Sequence, residues 1–300
     1  MNDKNKKKIE WRPASTVILV REGEGRLQVY LLKRNPKAGF FPGYYVFPGG
    51  VVEQDDWVRS PIEAYGDLDR ESFLKRFSWN QNLKEALAYA LSAMRETFEE
   101  AGVLLVDQTD RIGKELEGLC ERRLGEGLPK GWFLDQVWSE GWPLSFSRLR
   151  RWAHWITPRL MRSHFDTRFF IALIPPGQTC APDEKETVHG VWVSPEKALN
   201  KNYEGEIPLS PPTLVTLHEL LAYKDLSELE KALKTRPWGE ARFPRLVPLP
   251  DGALILQPWD PRRYGEVQID SEELEKKILP VGAPFSRLWL NKGIWRPVKA

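Results

Sequence analysis

Leu83, Leu87, Leu91, Met94 and Phe98 recur at offsets 0, 4, 8, 11 and 15. On a helix turning about 100° per residue they share one stripe roughly 80° wide. The segment therefore reads as a long helix from Leu83 to Gly102, with the glycine placed to end it in a left-handed cap. Its last turns carry Arg95-Glu96-Thr97-Phe98-Glu99-Glu100. Glu96, Glu99 and Glu100 fall within about 100° of one another, on the side away from the apolar stripe. For stability alone this is a poor choice. The macrodipole disfavours negative charge at a helix C-terminus, and like charges at i, i+3 and i, i+4 repel. A divalent cation would offset both costs, and Mg²⁺ takes carboxylate oxygens together with substrate phosphates. A solvated acidic helix end, with Arg95 pairing Glu99, would explain the glutamates but not the loop that precedes them.

That loop lies in residues 36–50, which hold three prolines and four glycines and end Val46-Phe-Pro-Gly-Gly50. It reads as a strand running into a tight backbone turn. Upstream, Thr16-Val-Ile-Leu-Val20, Gly23-Glu-Gly25 and Leu27–Arg34 read as a hairpin. Some helical character falls around Leu68–Phe77, and Val103–Val106 reads as a buried strand. Residues 108–152 suit two or three helices. Strands are predicted near Trp152–Ile156, Thr167–Leu173 and Val188–Val193, and helices from Pro195, over Pro211–Tyr223 and over Leu226–Leu233. From residue 236 the texture changes: nine prolines fall in the last 65 residues, around an Asp-Gly hairpin at 246–256.

Arg95-Glu-x-x-Glu-Glu-x-Gly-Val103 is similar to the core of the Nudix box, G-x5-E-x7-R-E-U-x-E-E-x-G-U, and Phe47-Pro-Gly-Gly50 resembles the loop that opens it. The chain departs from the pattern at Asp56, where the family has Glu, and at Thr97, where it has a bulky aliphatic residue. It departs in spacing too: 38 residues lie between Asp56 and Arg95 against 7 in the pattern, so 31 are inserted. An interrupted box resembles the branch of the mammalian peroxisomal coenzyme A diphosphatase and its bacterial relatives. Gly39–Gly50, Arg95–Leu105, His164-Phe-Asp-Thr-Arg-Phe-Phe170, Gly190–Ala198 and Leu209-Ser-Pro-Pro212 all look like that branch.

The resemblance implies an α/β fold, the Nudix α/β/α sandwich with a mixed β-sheet. A domain over 13–235 would carry a box insertion at about 57–87, followed by a Pro-rich C-terminal extension over 236–300. It implies Mg²⁺- or Mn²⁺-dependent hydrolysis of a nucleoside diphosphate derivative, with coenzyme A or acyl-coenzyme A leading. The products would be adenosine 3′,5′-bisphosphate and a phosphopantetheine. NADH, ADP-ribose and other nucleoside diphosphate derivatives are the alternative substrates, and a non-catalytic sensor or protein-binding module is the alternative class. Retention of all three glutamates favours the enzyme.

Residue by residue, Glu96, Glu99, Glu100 and the Gly49 carbonyl become metal ligands. Glu96 and Glu99 also enter the catalytic set, with Arg95 orienting the glutamates. Some members place one more Glu before a late strand, and Glu186 fits that place, with Glu184 the alternative. In coenzyme A-specific relatives a basic motif precedes the loop: Arg34 matches its first Arg, Gly39 stands where a second is usual, and Lys37 would compensate, with ordinary surface charge an equal reading of these side chains. Arg168 joins Arg34 and Lys37 as a substrate contact, although Asp166 and Arg168 suit a structural pair equally. Five tryptophans crowd into 132–155, and they read as packing more than as a stacking platform for a base.

Composition narrows the rest. With 44 Lys+Arg against 42 Asp+Glu the formal charge is +2, which lacks the basic excess of a nucleic-acid binder. A content of 41% hydrophobic residues argues against disorder. Cys120 and Cys180 have no disulfide or zinc spacing. The four histidines show no metal spacing either. No apolar run approaches the ~20 residues of a membrane helix. Lys4–Lys8 read as a solvated tail, and nothing resembles a signal peptide or a peroxisomal Ser-Lys-Leu ending. The expectation is a cytoplasmic protein with a small-molecule partner, no nucleic acid and no membrane. Three roles stay open for the C-terminal extension: pairing two copies as a homodimer, covering the pocket, or stapling the sandwich.

Overall fold

Side chains alternate along β1 (Arg12–Gly23) and thereby divide the interior into two cores. Val17 and Leu19 enter one, Ile18 and Val20 the other, and none of the four keeps exposed surface. The computed structural model describes residues 9–57, 66–80, 82–106, 110–267 and 271–300. The tail expected at Lys4–Lys8 and the 58–65 part of the insertion lie outside them.

β1 turns through Glu24 and Gly25 into β2 (Arg26–Arg34). Both turn residues have positive φ, 55° and 69°, as a two-residue hairpin turn favours. The two strands then diverge. β3 (Tyr45–Val46) pairs β2 at Leu32 and Lys33, and β4 (Gly49–Val51) pairs β1 at Ala14–Thr16. The Pro- and Gly-rich loop is thus wedged into the open end of the hairpin.

α1 (Arg70–Phe77), α2 (Leu83–Ala101), α3 (Asp110–Leu124) and α4 (Trp132–Glu140) build the first core against one sheet face. α1 is the helical part of the insertion, and Phe73 and Phe77 anchor it against Phe146. Asn82 caps the start of α2, accepting from Glu85 N, and Gly102 ends it at φ 71°. Val103–Val106 is buried as expected but is not a strand of the sheet. Among the described residues its only ladder contact is a bridge from Val106 to Leu144. Gln178 satisfies Leu104 instead, its amide bonding both N–H and C=O at 2.8 Å.

β5 (Arg150–Ile156), β6 (Phe165–Leu173) and β7 (Thr187–Val193) complete the sheet. β6 runs parallel to β1, whereas its other neighbour β5, like β7 on β2, is antiparallel, so the sheet is mixed. α5 (Pro195–Glu204), α6 (Pro211–Leu220) and α7 (Leu226–Leu233) cover the second face. The result is an α/β/α sandwich of the Nudix type. Among the described residues no helix is long and apolar enough to cross a membrane.

The C-terminal extension first lies beside β5, where Arg242 N–H donates to His154 O and Ile156 N–H to Arg242 O. It then forms a separate antiparallel sheet. β8 (Arg245–Leu249) and β9 (Gly252–Leu256) make the expected hairpin, followed by α8 (Ser271–Lys276) and the hairpin of β10 (Arg287–Asn291) and β11 (Ile294–Val298). Ile255, Leu288 and Trp295 of this sheet are buried in the second core. Trp295→Ala should therefore cost about 3–5 kcal/mol of stability, read by urea unfolding. A loss below about 1 kcal/mol would show that the extension is not part of that core.

Candidate active site

A guanidinium has five N–H donors in a fixed planar fork, and Arg95 uses every one. Nε donates to Asp56 Oδ1 at 3.1 Å, and Nη2 to Asp56 Oδ2 at 2.9 Å and Val51 O at 3.0 Å. Nη1 donates to Glu96 Oε1 at 2.9 Å and Glu99 Oε2 at 2.7 Å. Burial alone would lower its pKa, but the bonds to Asp56 and the charges of Glu96, Asp56 and Glu99 raise it above the ordinary guanidinium value. Asp56, 1% exposed, also accepts from Glu53 N at 2.8 Å. It precedes the insertion, so the extra residues loop out without displacing it. Its burial raises its pKa against the pull of Arg95.

The face of α2 opposite its apolar stripe is not solvated. Glu96 and Glu100 are 9% and 4% exposed, because the Gly49–Gly50 loop lies over them. Gly49 N–H donates to Glu100 Oε2 at 2.8 Å. Gly49 has φ 156°, and a Cβ there would stand 2.2 Å from Ser15 O. A Cβ on Gly50 would stand 2.5 Å from Glu96 Oε1. The first glycine lets the loop meet β1, and the second leaves room for the carboxylate. Glu99 is less buried, and its Oε1 accepts from the indole N–H of Trp132, on α4, at 2.6 Å.

Burial pushes the Glu96 carboxyl up to about 8, opposed by Arg95 and aided by the charges of Glu99 and Glu186. Glu100 rises well above its ordinary value through burial and then the charge of Glu96. Glu99 rises by burial, with Arg95 and Trp132 pulling it back. Loss of hydration, more than mutual repulsion, is thus what disfavours the ionised carboxylates here.

A cavity of about 420 Å³ opens beside these groups. Arg95, Glu96, Glu99, Glu53, Gly49 and Gly50 line its acidic part. Glu186 lines it too, exposed, whereas Glu184 does not. Asp183 organises the Glu186 loop by accepting from the N–H groups of Lys185, Glu186 and Thr187. Arg34 lines the cavity with its Nε unpartnered, and its charge lowers the pKa of Glu100. Lys37 is exposed and is not brought to the cavity.

Arg168 is not brought there either. It is 3% exposed, bonds Asp166 Oδ1 at 3.1 Å and stacks 3.7 Å above the Trp79 ring. The parity of β6 decides this: Phe165, Thr167 and Phe169 line the cavity, so Asp166 and Arg168 face away. Of the two readings open for that pair, the structure takes the structural one.

Phe40, Phe41, Phe47, Trp155, Met161 and Phe169 give the rest of the cavity an apolar wall. Pro211 and Pro212 add to it, as do Pro244, Ile255 and Gln257 of the extension. Three of the crowded tryptophans, Trp132, Trp142 and Trp152, pack as expected, and the indole of Trp132 also holds Glu99. Neither that bond nor the contribution of the extension has a local sequence signal. Both depend on which segments fold beside α2 and β6.

The donor set is all oxygen, the hard ligands that Mg²⁺ and Mn²⁺ prefer. Among the described residues no three His, Cys, Asp or Glu side chains form a ready metal cage. The glutamates are engaged instead by Arg95, Trp132 and Gly49 N–H. No hydrogen bond reaches Glu96 Oε2 or Glu100 Oε1 among the described residues, and a divalent ion would stabilise the ionised carboxylates that burial disfavours. The residues fit such an ion.

Comparison with known proteins agrees with the geometry. The family of the NUDT19 Nudix domain matches residues 11–220. The acyl-coenzyme A diphosphatase NUDT19 of Xenopus laevis is 27% identical over 310 residues, covering 89% of this chain and 81% of its own. The human protein of the same name is 27% identical over 336 residues, covering 93% and 88%. A crystal structure of a Nudix hydrolase from Alicyclobacillus acidocaldarius superimposes with a TM-score of 0.57 at 24% identity, over 77% of this chain and 99% of that one.

The raised carboxyl of Glu96 makes stability depend on pH. Its folded value, about 8, stands above the ordinary 4.5, so its contribution is whole below about pH 4.5 and is lost as pH rises through 8. Thermal melts of metal-free protein should fall between about pH 5 and about pH 9, and Glu96→Gln should flatten the fall. An unchanged Tm across that range in the unmodified protein would contradict the crowding of carboxylates.

Proposed function

The chain belongs to the family of the NUDT19 Nudix domain and is a Nudix hydrolase, a diphosphatase; from that premise we propose that it cleaves coenzyme A or an acyl-coenzyme A with the help of Mg²⁺ or Mn²⁺. The observation that carries the proposal is the cavity itself. Glu96 and Glu99 line one end, with Glu100 buried behind the Gly49 backbone, and an apolar wall continues from them. A diphosphate would lie at the first and a long, flexible, uncharged arm along the second. The 27% identity to acyl-coenzyme A diphosphatases supports the same choice.

Glu96, Glu99, Glu100 and the Gly49 carbonyl would hold the ion. When bound it would neutralise charge on the diphosphate oxygens and acidify a water. The protein's own groups supply the rest. Arg95 fixes the rotamers of Glu96 and Glu99, and Asp56 fixes Arg95, so both act as positioning residues. Trp132 holds Glu99 from the other side. Glu186 lines the same cavity without Arg95 at its carboxylate, and in this reading it takes a proton from the attacking water. Arg34, at the end of β2, meets a phosphate oxygen. The apolar wall excludes bulk water from the arm and strengthens these charge interactions.

The catalytic unit spans 13–235 in this reading, and the extension 236–300 serves it as a wall. Two free cysteines, Cys120 and Cys180, suit a cytoplasmic setting.

Hydrolysis should require added Mg²⁺ or Mn²⁺. Glu99→Gln and Glu100→Gln should each lower kcat/KM by roughly 10²–10⁴-fold with unfolding behaviour retained. Full activity in both variants, or activity unaffected by chelation, would sink the site assignment. Trp132→Phe removes one hydrogen bond from Glu99, and the activity or metal affinity should fall roughly 10-fold. Ranking coenzyme A, acyl-coenzyme A, NADH, ADP-ribose and deoxynucleoside triphosphates by kcat/KM tests the substrate. Coenzyme A ranking last would overturn that choice and leave the hydrolase class standing.

A further inference from the structure

Gln257 directly follows β9 in the C-terminal extension and has no exposed surface. Its main chain is pinned: its N–H donates to Ser286 O at 2.8 Å, and its C=O accepts from Asp260 N at 2.9 Å. Its side chain is not. Among the described residues both Nε2 and Oε1 are buried without a partner, although the residue lines the active-site cavity. Trp155, on β5, lines the same cavity, and its indole N–H is likewise buried and unpartnered.

An amide that leaves both donor and acceptor unused in the interior is destabilising, and buried polar groups are nearly always paired. A leucine at this position would avoid the loss. The arrangement makes sense when a ligand completes it. Neither Gln257 nor Trp155 carries charge, so this part of the wall is not built for an anion. Ile255, Pro244, Met161 and Phe169 give the cavity apolar surface, which favours a ligand segment that is apolar apart from its amide. The complementary group is a secondary amide in an apolar chain. Its carbonyl would accept from Gln257 Nε2, with the Trp155 N–H as a further donor, and its N–H would donate to Gln257 Oε1.

We infer that Gln257, assisted by Trp155, is a specificity-determining residue that recognises a secondary amide in the arm attached to the substrate diphosphate. This rests on the coenzyme A reading above and sharpens it. The pantetheine arm carries secondary amides, whereas ADP-ribose has a ribose in their place. The extension is then more than a staple, because it brings the amide reader to a cavity whose acidic end belongs to another part of the chain.

The test compares kcat/KM for coenzyme A with that for an amide-free analogue, a 3′-phosphoadenosine diphosphate ester of an alkanol of matching length. The unmodified protein should prefer coenzyme A by roughly 10-fold or more. In Gln257→Leu the ratio of the two should fall roughly 10-fold towards one, with a Tm no lower than before. No preference in the unmodified protein would overturn the inference even if the variant failed to fold. An unchanged ratio in a folded variant would overturn it as well. Cleavage of ADP-ribose with none of coenzyme A would overturn the substrate reading itself, and this inference with it.

Discussion

The structure depends on the Arg95 guanidinium. One side chain on α2 binds Asp56, the Val51 carbonyl, Glu96 and Glu99. It thereby ties the loop before the insertion, the wedge strand β4 and the end of the long helix to one point. Only a planar group with five donors can do this, and a lysine has neither the fork nor the number. Buried ion pairs are seldom a net gain over apolar packing, because both charges lose their hydration. Here the gain is positional. The same guanidinium that docks Asp56 sets the rotamers of two of the three site glutamates.

That arrangement explains how a motif survives a 31-residue interruption. Asp56 and Arg95 meet in space whatever the chain does between them, provided the intervening residues can pack elsewhere. They pack through α1, whose Phe73 and Phe77 join the first core. Closing a longer loop adds only a small entropic cost, so the extra segment is tolerated where it leaves the Asp56–Arg95 contact intact. The shorter Asp is not a defect either: with Arg95 on both oxygens and Glu53 N–H on one, it serves as an anchor.

The site itself is held at an energetic disadvantage. Three glutamates crowd the C-terminal end of a helix, two of them are nearly fully buried, and the two that sit deepest have raised pKa values. A sequence selected for stability alone would not keep them. Strain of this kind concentrates at functional sites, and in the function proposed above a divalent ion would offset it. The unpaired amide of Gln257 at the apolar wall is a second instance in the same cavity.

Much of this was legible in the sequence because it rests on short-range relations. The period of Leu83–Phe98, the Gly102 cap, the Glu24–Gly25 turn and the Pro-Gly-Gly turn are all consequences of local geometry. Long-range pairings were not legible. Whether Arg168 faced the cavity depended on the parity of β6 against its neighbours, and it turned inward beneath Trp79. Val103–Val106 had the composition of a strand, yet Gln178 took up the Leu104 backbone and left it outside the sheet. Glu186 could be separated from Glu184 only by the turn Asp183 imposes, and Trp132 and Gln257 reach the site from segments with no motif at all. The sequence by itself determined the family, the acidic helix end and the glycine-rich loop, because each is encoded within a few residues. Only the tertiary structure decided which distant side chains complete the cavity, because that choice is made by strand register and by how the extension packs on the second core.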